Sequence, residues 1–474
     1  MILCDEPAIK EILGCKGHAG VKPCFACLNC VLHRGFGEQD PWWMGSTYFV
    51  SIAETDFSKF KKHEENVDSL RNHIKRLHAR KLTESPDEFE HLTTAYGWNY
   101  NPWSIALNVE IDEVDKITVY DWAHCYLIDG LLDNEFGAAM KWLQKNTQKS
   151  YAECWEYLQT FKLPKCRGTF AHLFTDEAIA KHLETGNFKC TASEMLTLAP
   201  LLRRYFKKVV LPREGPLPVI LSIIAVLDVV EMLQGIKCHA TDPDDLARAI
   251  KNHFDLFIDA YGKEMMRPKH HYVLHLPSML RRFGFLLSTF VHERRHRVIR
   301  RYTQNRKILK NWSVSVMEEV TCHSIWEMSH RFYNAYDTTN PARSTLSELH
   351  AMFPSVPDDD FTLHNTIYVH GGTAEVGDVV SFMYNGSLHV GELLITIGIA
   401  AECSEFGGDI FSFVSLWERL PQAYDDDAGQ TFLVKDDPQL IPVSDLDTVF
   451  VHRPASDGKS SFLLIPRERH NQLH

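Results

Sequence analysis

The spacing of apolar and polar positions divides the chain into stretches of different character. Residues 1–35 open on a short apolar strand, MILCD, followed by the amphipathic segment PAIKEILG and a loop rich in glycine and cysteine. Pro7 falls in the first turn of that helix, where a missing N–H costs nothing. From about 54 to 94 the residues are charged with helical spacing, and the turn-rich AYGWNYNPW separates them from an apolar run ending in ITVYDWAHCYLIDGLL. Helical periodicity dominates from about 134 to 310, with breaks expected at Pro164, Pro212 to Pro218, Asp242 to Asp244 and Pro268. Beyond YDTTNPARS and the acidic PSVPDDD the period shortens to strand alternation: TIYVH, DVVSFMYNGSLHVGELLIT, IFSFVSLWERL, TFLVK, TVFVHR, FLLIPR. Asn385-Gly386 between two apolar runs predicts a tight hairpin. The expected organisation is an α+β multidomain chain: 1–135, helical 136–280, basic helical 281–335, a linker 336–361 and a small antiparallel β-barrel over 362–470.

Composition narrows the class. With 474 residues, 45% of them apolar, the chain can bury a sizeable core, and length alone suggests roughly two to four domains. The strongest apolar run, PLPVILSIIAVLDVV at 216–230, contains Asp228 and is shorter than the roughly 20 residues of a spanning helix, which predicts a buried core helix and no membrane segment. An acid at residue 5 and no basic leader exclude a secretory signal, so a reducing, intracellular compartment is expected. Cys154, Cys166, Cys190, Cys238, Cys322 and Cys403 are scattered singly and read as buried thiols. A strand at the first residue needs strands to pair with, which suggests that something upstream is missing.

Charge changes the picture locally. The formal net charge is −12, yet between Arg281 and Lys310 there are ten Lys/Arg and one acid, Glu293. Such a patch either docks a polyanion or is a solvated helix face. Arg294, Arg295, Arg297, Arg300, Arg301, Arg306 and Lys307 are the candidate phosphate contacts. Glu293 shares a helical face with Arg297, so an ordinary ion pair is the competing reading. Asp5 at a strand end, Asp121 in YDWAH and Glu293 are the acids a metal-dependent phosphodiester enzyme needs, holding Mg²⁺ or Mn²⁺ through oxygen. Cys24, Cys27, Cys30 and His33 follow at intervals of three and are candidate zinc ligands, with His18, Cys15 or His124 as further ones. The same stripe equally fits a buried thiol face. His270, His271 and His275 in HHYVLHLP could order a metal-bound acid, stack on a base or satisfy the core; taken singly, each reads as structural.

In this order the motifs resemble the transposases of CACTA-type (En/Spm-like) DNA transposons. LCDEPAIKEILGCKGHAGVKPCFAC resembles a strand-aspartate segment followed by a loop and CxxC. YGWNYNPWSIALN and YDWAHCYLIDGLL follow, the latter similar to an Asp-x-x-His segment, and KHHYVLHLPSMLRRFGFLLSTFVHERRHRVIRRY is similar to the His-rich lead into a catalytic-glutamate helix. Over about residues 1–310 the resemblance implies a partial ribonuclease-H-like core with a large helical insertion, DNA strand cleavage and transfer by an Asp-Asp-Glu triad, and a nuclear location. Asp5 would be the second aspartate and Glu293 the glutamate, with Asp121 and His124 the accessory motif; the first aspartate belongs upstream, so this chain as given is expected to bind DNA without cleaving it. The C-terminal strands resemble SH3-like or BAH-like barrels, whose Tyr384, Phe411, Phe413 and Trp417 either face a peptide or fill the core. Expected partners are DNA, a chromatin or peptide ligand of the barrel and a second copy of the chain. The alternatives are a chromatin or protein-interaction scaffold working through the barrel, and a small zinc-dependent regulator.

Overall fold

A computed structural model describes residues 2–4, 6–32, 49–63, 70–108, 110–111, 114–147, 151–236, 241–288, 299–300, 302–303, 312–330, 335–369, 372–400, 409–425 and 429–465. These form a mixed α+β protein that packs into two compact units, 1–151 with 173–293 and 152–172 with 294–474.

In the first unit β1 (Ile2–Cys4) leads into α1 (Glu6–Leu13), β2 (Cys30–Val31) pairs in parallel with β3 (Val50–Ser51), and α2 (Leu70–Arg80) and α3 (Pro86–Tyr96) follow. A short helix α4 (Val114–Ile117) precedes β4 (Thr118–Tyr120), which lies parallel to β1 in the register Ile2↔Thr118 to Cys4↔Tyr120. The two strands therefore end side by side. Helices α5 (Trp122–Tyr126) and α6 (Leu131–Asn146) come next, and Tyr151 opens α7 (Tyr151–Gln159), the rest of which belongs to the other unit. The remainder is helical: α8 (Asp176–Thr185), α9 (Ala192–Tyr205), α10 (Leu211–Glu214), α11 (Pro218–Gly235), α12 (Pro243–Tyr261), α13 (Pro268–Val273) and α14 (Leu276–Phe283). The expected breaks stand where proline and aspartate put them: Asp242 caps α12 through the amides of Asp244 and Asp245, and Pro268 opens α13.

The apolar run at 216–230 is the centre of this bundle. Helix α11 is long and apolar enough to cross a membrane, but 72% of its most apolar window is buried and it packs on α6, α9 and α12, so protein contacts account for its apolarity. Phe136 of α6 packs edge-on against Tyr151, Phe188 and Phe206 in an aromatic cluster.

The second unit holds α15 (Trp312–His330), α16 (Arg343–Met352) and an antiparallel sheet of eleven described strands: β5 (Ala335–Thr339), β6 (Phe361–Val369), β7 (Gly372–Glu375), β8 (Val379–Tyr384), β9 (Ser387–Ile399), β10 (Ile410–Leu416), β11 (Glu418–Asp425), β12 (Gly429–Leu433), β13 (Pro438–Pro442), β14 (Leu446–Pro454) and β15 (Ser460–Leu464). The Asn385-Gly386 hairpin forms as expected, with φ of 50° and 77° in the left-handed region that a primed turn requires. Strand β9 is long enough to pair with β8, β10 and β6 in turn.

Two boundaries differ from the sequence expectation. The stretch 336–361 is no linker: it contributes most of β5 and all of α16, and Leu349, Phe353 and Val356 pack on Phe361, Ile397 and Ile399 of the sheet. Its polar ends hid an amphipathic helix. Residues 152–172 leave the helical region for the second unit, where Lys162 exchanges backbone hydrogen bonds with His452 at 2.7 and 3.1 Å and Asp378 accepts from the Lys165 amide at 3.0 Å. The four aromatics named for a peptide face are occupied internally. Trp417 is buried among Val379, Val390, Phe432 and Phe450, Phe411 and Phe413 pack against the cluster under α16, and the Tyr384 hydroxyl donates to Gln439.

Candidate metal centre

The CxxC loop is held from both sides before it reaches any ligand. Gly97, at φ 77°, ends α3, and a side chain on it would meet the Lys22 carbonyl at 2.4 Å, so only glycine lets the YGWNYN turn approach the loop. Lys16 donates its amide to the Gly97 carbonyl at 2.8 Å and Val21 to that of Thr94 at 2.9 Å. On the other side Leu28 donates to Lys61 at 2.8 Å and His63 to Ala26 at 2.9 Å, and Asn29 clamps the Lys59–Lys61 backbone through its side-chain amide. Cys24 and Cys27 are thereby fixed pointing into the unit, 3% and 2% exposed.

What they meet comes from almost 250 residues away. His271 on α13 and His275 just before α14 turn their rings onto the two sulfurs, and the four ligand atoms lie within 4.8 Å of one another. The His275 Nε2 is 3.4 Å from each sulfur and 3.3 Å from the His271 Nε2. Tetrahedral zinc, with bonds of about 2.3 Å to sulfur and 2.0–2.1 Å to nitrogen, needs edges of roughly 3.3–3.8 Å, so the donors already stand near coordination spacing. Phe25, Phe57, Phe60, Tyr120 and Tyr272 surround them, with Phe60 packed on His271 and Phe57 edge-on to His275.

Electrostatics fit the same purpose. Burial alone would raise the Cys24 thiol, but the hydrogen bond from Cys27 and the imidazoles of His275 and His271 together hold it well below the ordinary thiol range. Cys27 is pushed up by burial and by the adjacent Cys24. Burial lowers His271, against the pull of Cys24, in the direction of the neutral ring that a metal takes. Tyr120 is pushed up by burial and by Cys24, and its phenol donates to the Cys24 sulfur at 3.3 Å.

Tyr120 ends β4 and precedes Asp121, so the cluster abuts the Asp-x-x-His segment. Asp121, 3% exposed, accepts from the Ala123 amide at 2.9 Å as the N-cap of α5 and meets His124 Nδ1 at 2.6 Å. Lys269, two residues before His271, donates to the carbonyls of His124, Ile128 and Asp129 at 2.8, 2.8 and 3.0 Å and closes the other end of α5.

Of the zinc ligands expected from sequence, Cys24 and Cys27 belong to the cluster. Cys30 does not: it sits in β2 paired with Val50, fully buried and held protonated by burial. His33 lies outside the described residues, as does the side chain of His18. Cys15 bridges to Trp98, and His124 is bound to Asp121. Of the other thiols, Cys154 is buried, Cys190 half-buried and Cys322 exposed. Asp5, Glu293, Arg294, Arg295, Arg297, Arg301, Arg306 and Lys307 lie outside the described residues, and Arg300 is exposed. The four clustered donors are sulfur and nitrogen, which suits zinc and not the Mg²⁺ or Mn²⁺ expected from the acids. The missed ligands carried a signal: H-x₃-H at 271–275 has the spacing of a second zinc pair, complementing C-x₂-C. The chain matches no protein-family model, no curated protein and no solved structure.

Proposed function

We propose that this is a transposase-derived DNA-binding protein whose first unit is organised around a structural zinc ion. The observation that carries the reading is the convergence of Cys24 and Cys27 with His271 and His275. Both pairs lie in segments that resemble the transposase motifs, and their meeting puts the Asp121–His124 segment beside them through Tyr120. Four buried protein donors leave no open coordination position, which favours a structural over a catalytic zinc. When bound, the ion supplies a cross-link between the loop and the α13–α14 turn. Tyr120 supports the Cys24 sulfur, and Lys269 fixes α5 so that Asp121 orients the His124 ring.

DNA is assigned to the basic segment from Arg294 to Lys307, and a nuclear location follows from that role. Replacing Arg294, Arg295 and Arg297 by glutamate is expected to weaken binding to a labelled duplex at least about tenfold and to flatten its salt dependence, since each phosphate contact contributes about 0.9 to the slope of log K against log salt. Duplex binding that is absent, or that ignores both salt and these substitutions, overturns the reading.

A further inference from the structure

The four converging donors of the metal centre are not equally supported. A neutral imidazole carries one N–H, so a ring nitrogen that gives its lone pair to a metal leaves the hydrogen on the other nitrogen. A firmly held ligand passes that hydrogen on to an acceptor. His271 is fully buried, with Nε2 3.3 Å from His275 Nε2 among the converging ligand atoms. Its Nδ1 has no hydrogen-bond partner, and of the two histidines His271 alone has such an orphaned ring nitrogen. Phe60 packs against this ring with centroids 4.4 Å apart, and the His275 ring crosses it at 5.1 Å; neither gives Nδ1 an acceptor.

The other ligands stand on better terms. His275 Nε2 lies 3.4 Å from both sulfurs, and the Tyr120 phenol meets the Cys24 sulfur at 3.3 Å. Without metal, the His271 hydrogen can stay on Nε2 among those groups while Nδ1 keeps only a lone pair. With metal on Nε2 the hydrogen must sit on Nδ1, a buried donor with no acceptor, which weakens the bond by roughly 5- to 150-fold in affinity. Helix α13 does not depend on that bond for its place. The Tyr272 hydroxyl ties it to the Pro23 carbonyl at 3.1 Å, and Lys269 ties it to the carbonyls of His124, Ile128 and Asp129.

We infer, resting on the zinc reading, that His271 is the displaceable ligand of the centre. Cys24, Cys27 and His275 hold the ion, and the fourth position opens to a small nitrogen donor when the His271 ring turns away. The centre is then closed at rest and exchangeable at one position, while the loop and α13 stay joined through Tyr272 and Lys269.

Cobalt substitutes for zinc and reports its ligands by visible absorption. The full chain as wild type, His271→Ala and His275→Ala is stripped of metal with a chelator and titrated with Co²⁺ and then with azide, while circular dichroism follows the fold. His275→Ala is expected to lose at least about tenfold more cobalt affinity than His271→Ala, because only the second removes a ligand whose bond already carries the unpaired-donor penalty. Azide should shift the cobalt bands of His271→Ala and, at higher concentration, bring those of the wild type to the same spectrum. The wild-type titration decides alone if His271→Ala fails to fold. Equal losses in the two histidine variants, or azide that leaves the wild-type spectrum unchanged, overturns the displaceable ligand while the zinc reading stands. A wild type that takes up no metal overturns the zinc reading and the displaceable ligand with it.

Discussion

Two buried polar clusters in the first unit differ in what they leave unanswered. Glu135, His253 and Ser222 sit in the helical bundle, each at most 1% exposed, and complement one another: the carboxylate accepts from the Ser222 hydroxyl at 2.5 Å and from His253 Nε2 at 2.7 Å. Cys24, Cys27, His271 and His275 are as deeply buried, but they hold no carboxylate: their contacts run among two sulfurs, two imidazoles and the Tyr120 phenol, and each offers a metal-ligating atom within 4.8 Å of the others. A carboxylate, an imidazole and a hydroxyl can neutralise each other in a low dielectric. Two sulfurs and two imidazoles converging on one point, with no carboxylate among them, make a ligand set that a zinc ion would engage all at once. The difference teaches that burial of titratable groups does not mark a site; the convergence of metal-ligating atoms of matching chemistry does.

The strongest way to break this comparison is to remove the ligands. Cys24→Ser with Cys27→Ser is expected to abolish bound zinc and to destabilise the first unit by several kcal/mol, given that structural zinc supplies roughly 10–16 kcal/mol in zinc-finger peptides. Cys30→Ala should keep its metal. Elemental analysis with thermal unfolding in the presence and absence of a chelator reads both effects. A wild-type chain that purifies without zinc and ignores the chelator defeats the metal assignment, and zinc that follows Cys30 would restore the contiguous ligand set expected from sequence.

The bundle cluster should behave oppositely. His253→Ala leaves the Glu135 carboxylate buried with only the Ser222 hydroxyl, and breaking a buried pair at one partner costs about 3–5 kcal/mol. Glu135→Gln with His253→Gln, which keeps hydrogen-bonding groups without the charge, should recover much of that loss. Zinc content should stay at the wild-type level in every one of these variants. Denaturant unfolding with elemental analysis decides: metal lost in His253→Ala would mean that the two clusters are one linked system.

Periodicity made most of the local structure legible. The strand–helix start at 2–13, the capped and proline-opened helices and the Asn385-Gly386 hairpin all follow from short-range rules, so adjacent residues suffice to predict them. The centre was half legible. C-x₂-C is local, but its partners are fixed only when α13 returns to the loop, where the Tyr272 hydroxyl donates to the Pro23 carbonyl at 3.1 Å. Contiguity favoured Cys30 and His33 because it knows nothing of that return. The strap at 152–172 was hidden for the same reason: Lys162 and His452 share two hydrogen bonds, yet neither flanking sequence announces a partner. One practical consequence is that a C-terminal fragment beginning after residue 350 lacks a segment its sheet pairs with.

A third buried group sharpens the contrast at smaller cost. Asp133, 3% exposed on the first turn of α6, accepts from the Gly130 amide at 3.4 Å through one oxygen, while the other has no partner among the described residues. It has no ion-pair or imidazole partner among the described residues, so it responds by holding its proton: burial pushes the carboxyl up to about 8, with help from Asp129 and against the Gly130 hydrogen bond and the Lys269 ammonium. A folded-state value above the unfolded one, near 3.9, means that the group's contribution to stability is complete below about pH 4 and is lost as pH rises through about 8. Asp133→Asn cannot ionise, keeps an acceptor for Gly130, and removes that slope. It is expected to match the wild type near pH 4 and to exceed it at pH 8 by several kcal/mol, a shift of about four units being worth about 1.4 kcal/mol each before the site relaxes. Urea unfolding of both proteins across this range, with zinc held constant, compares them directly. Parallel curves would show that Asp133 is ionised in the folded state, against the direction in which burial pushes it.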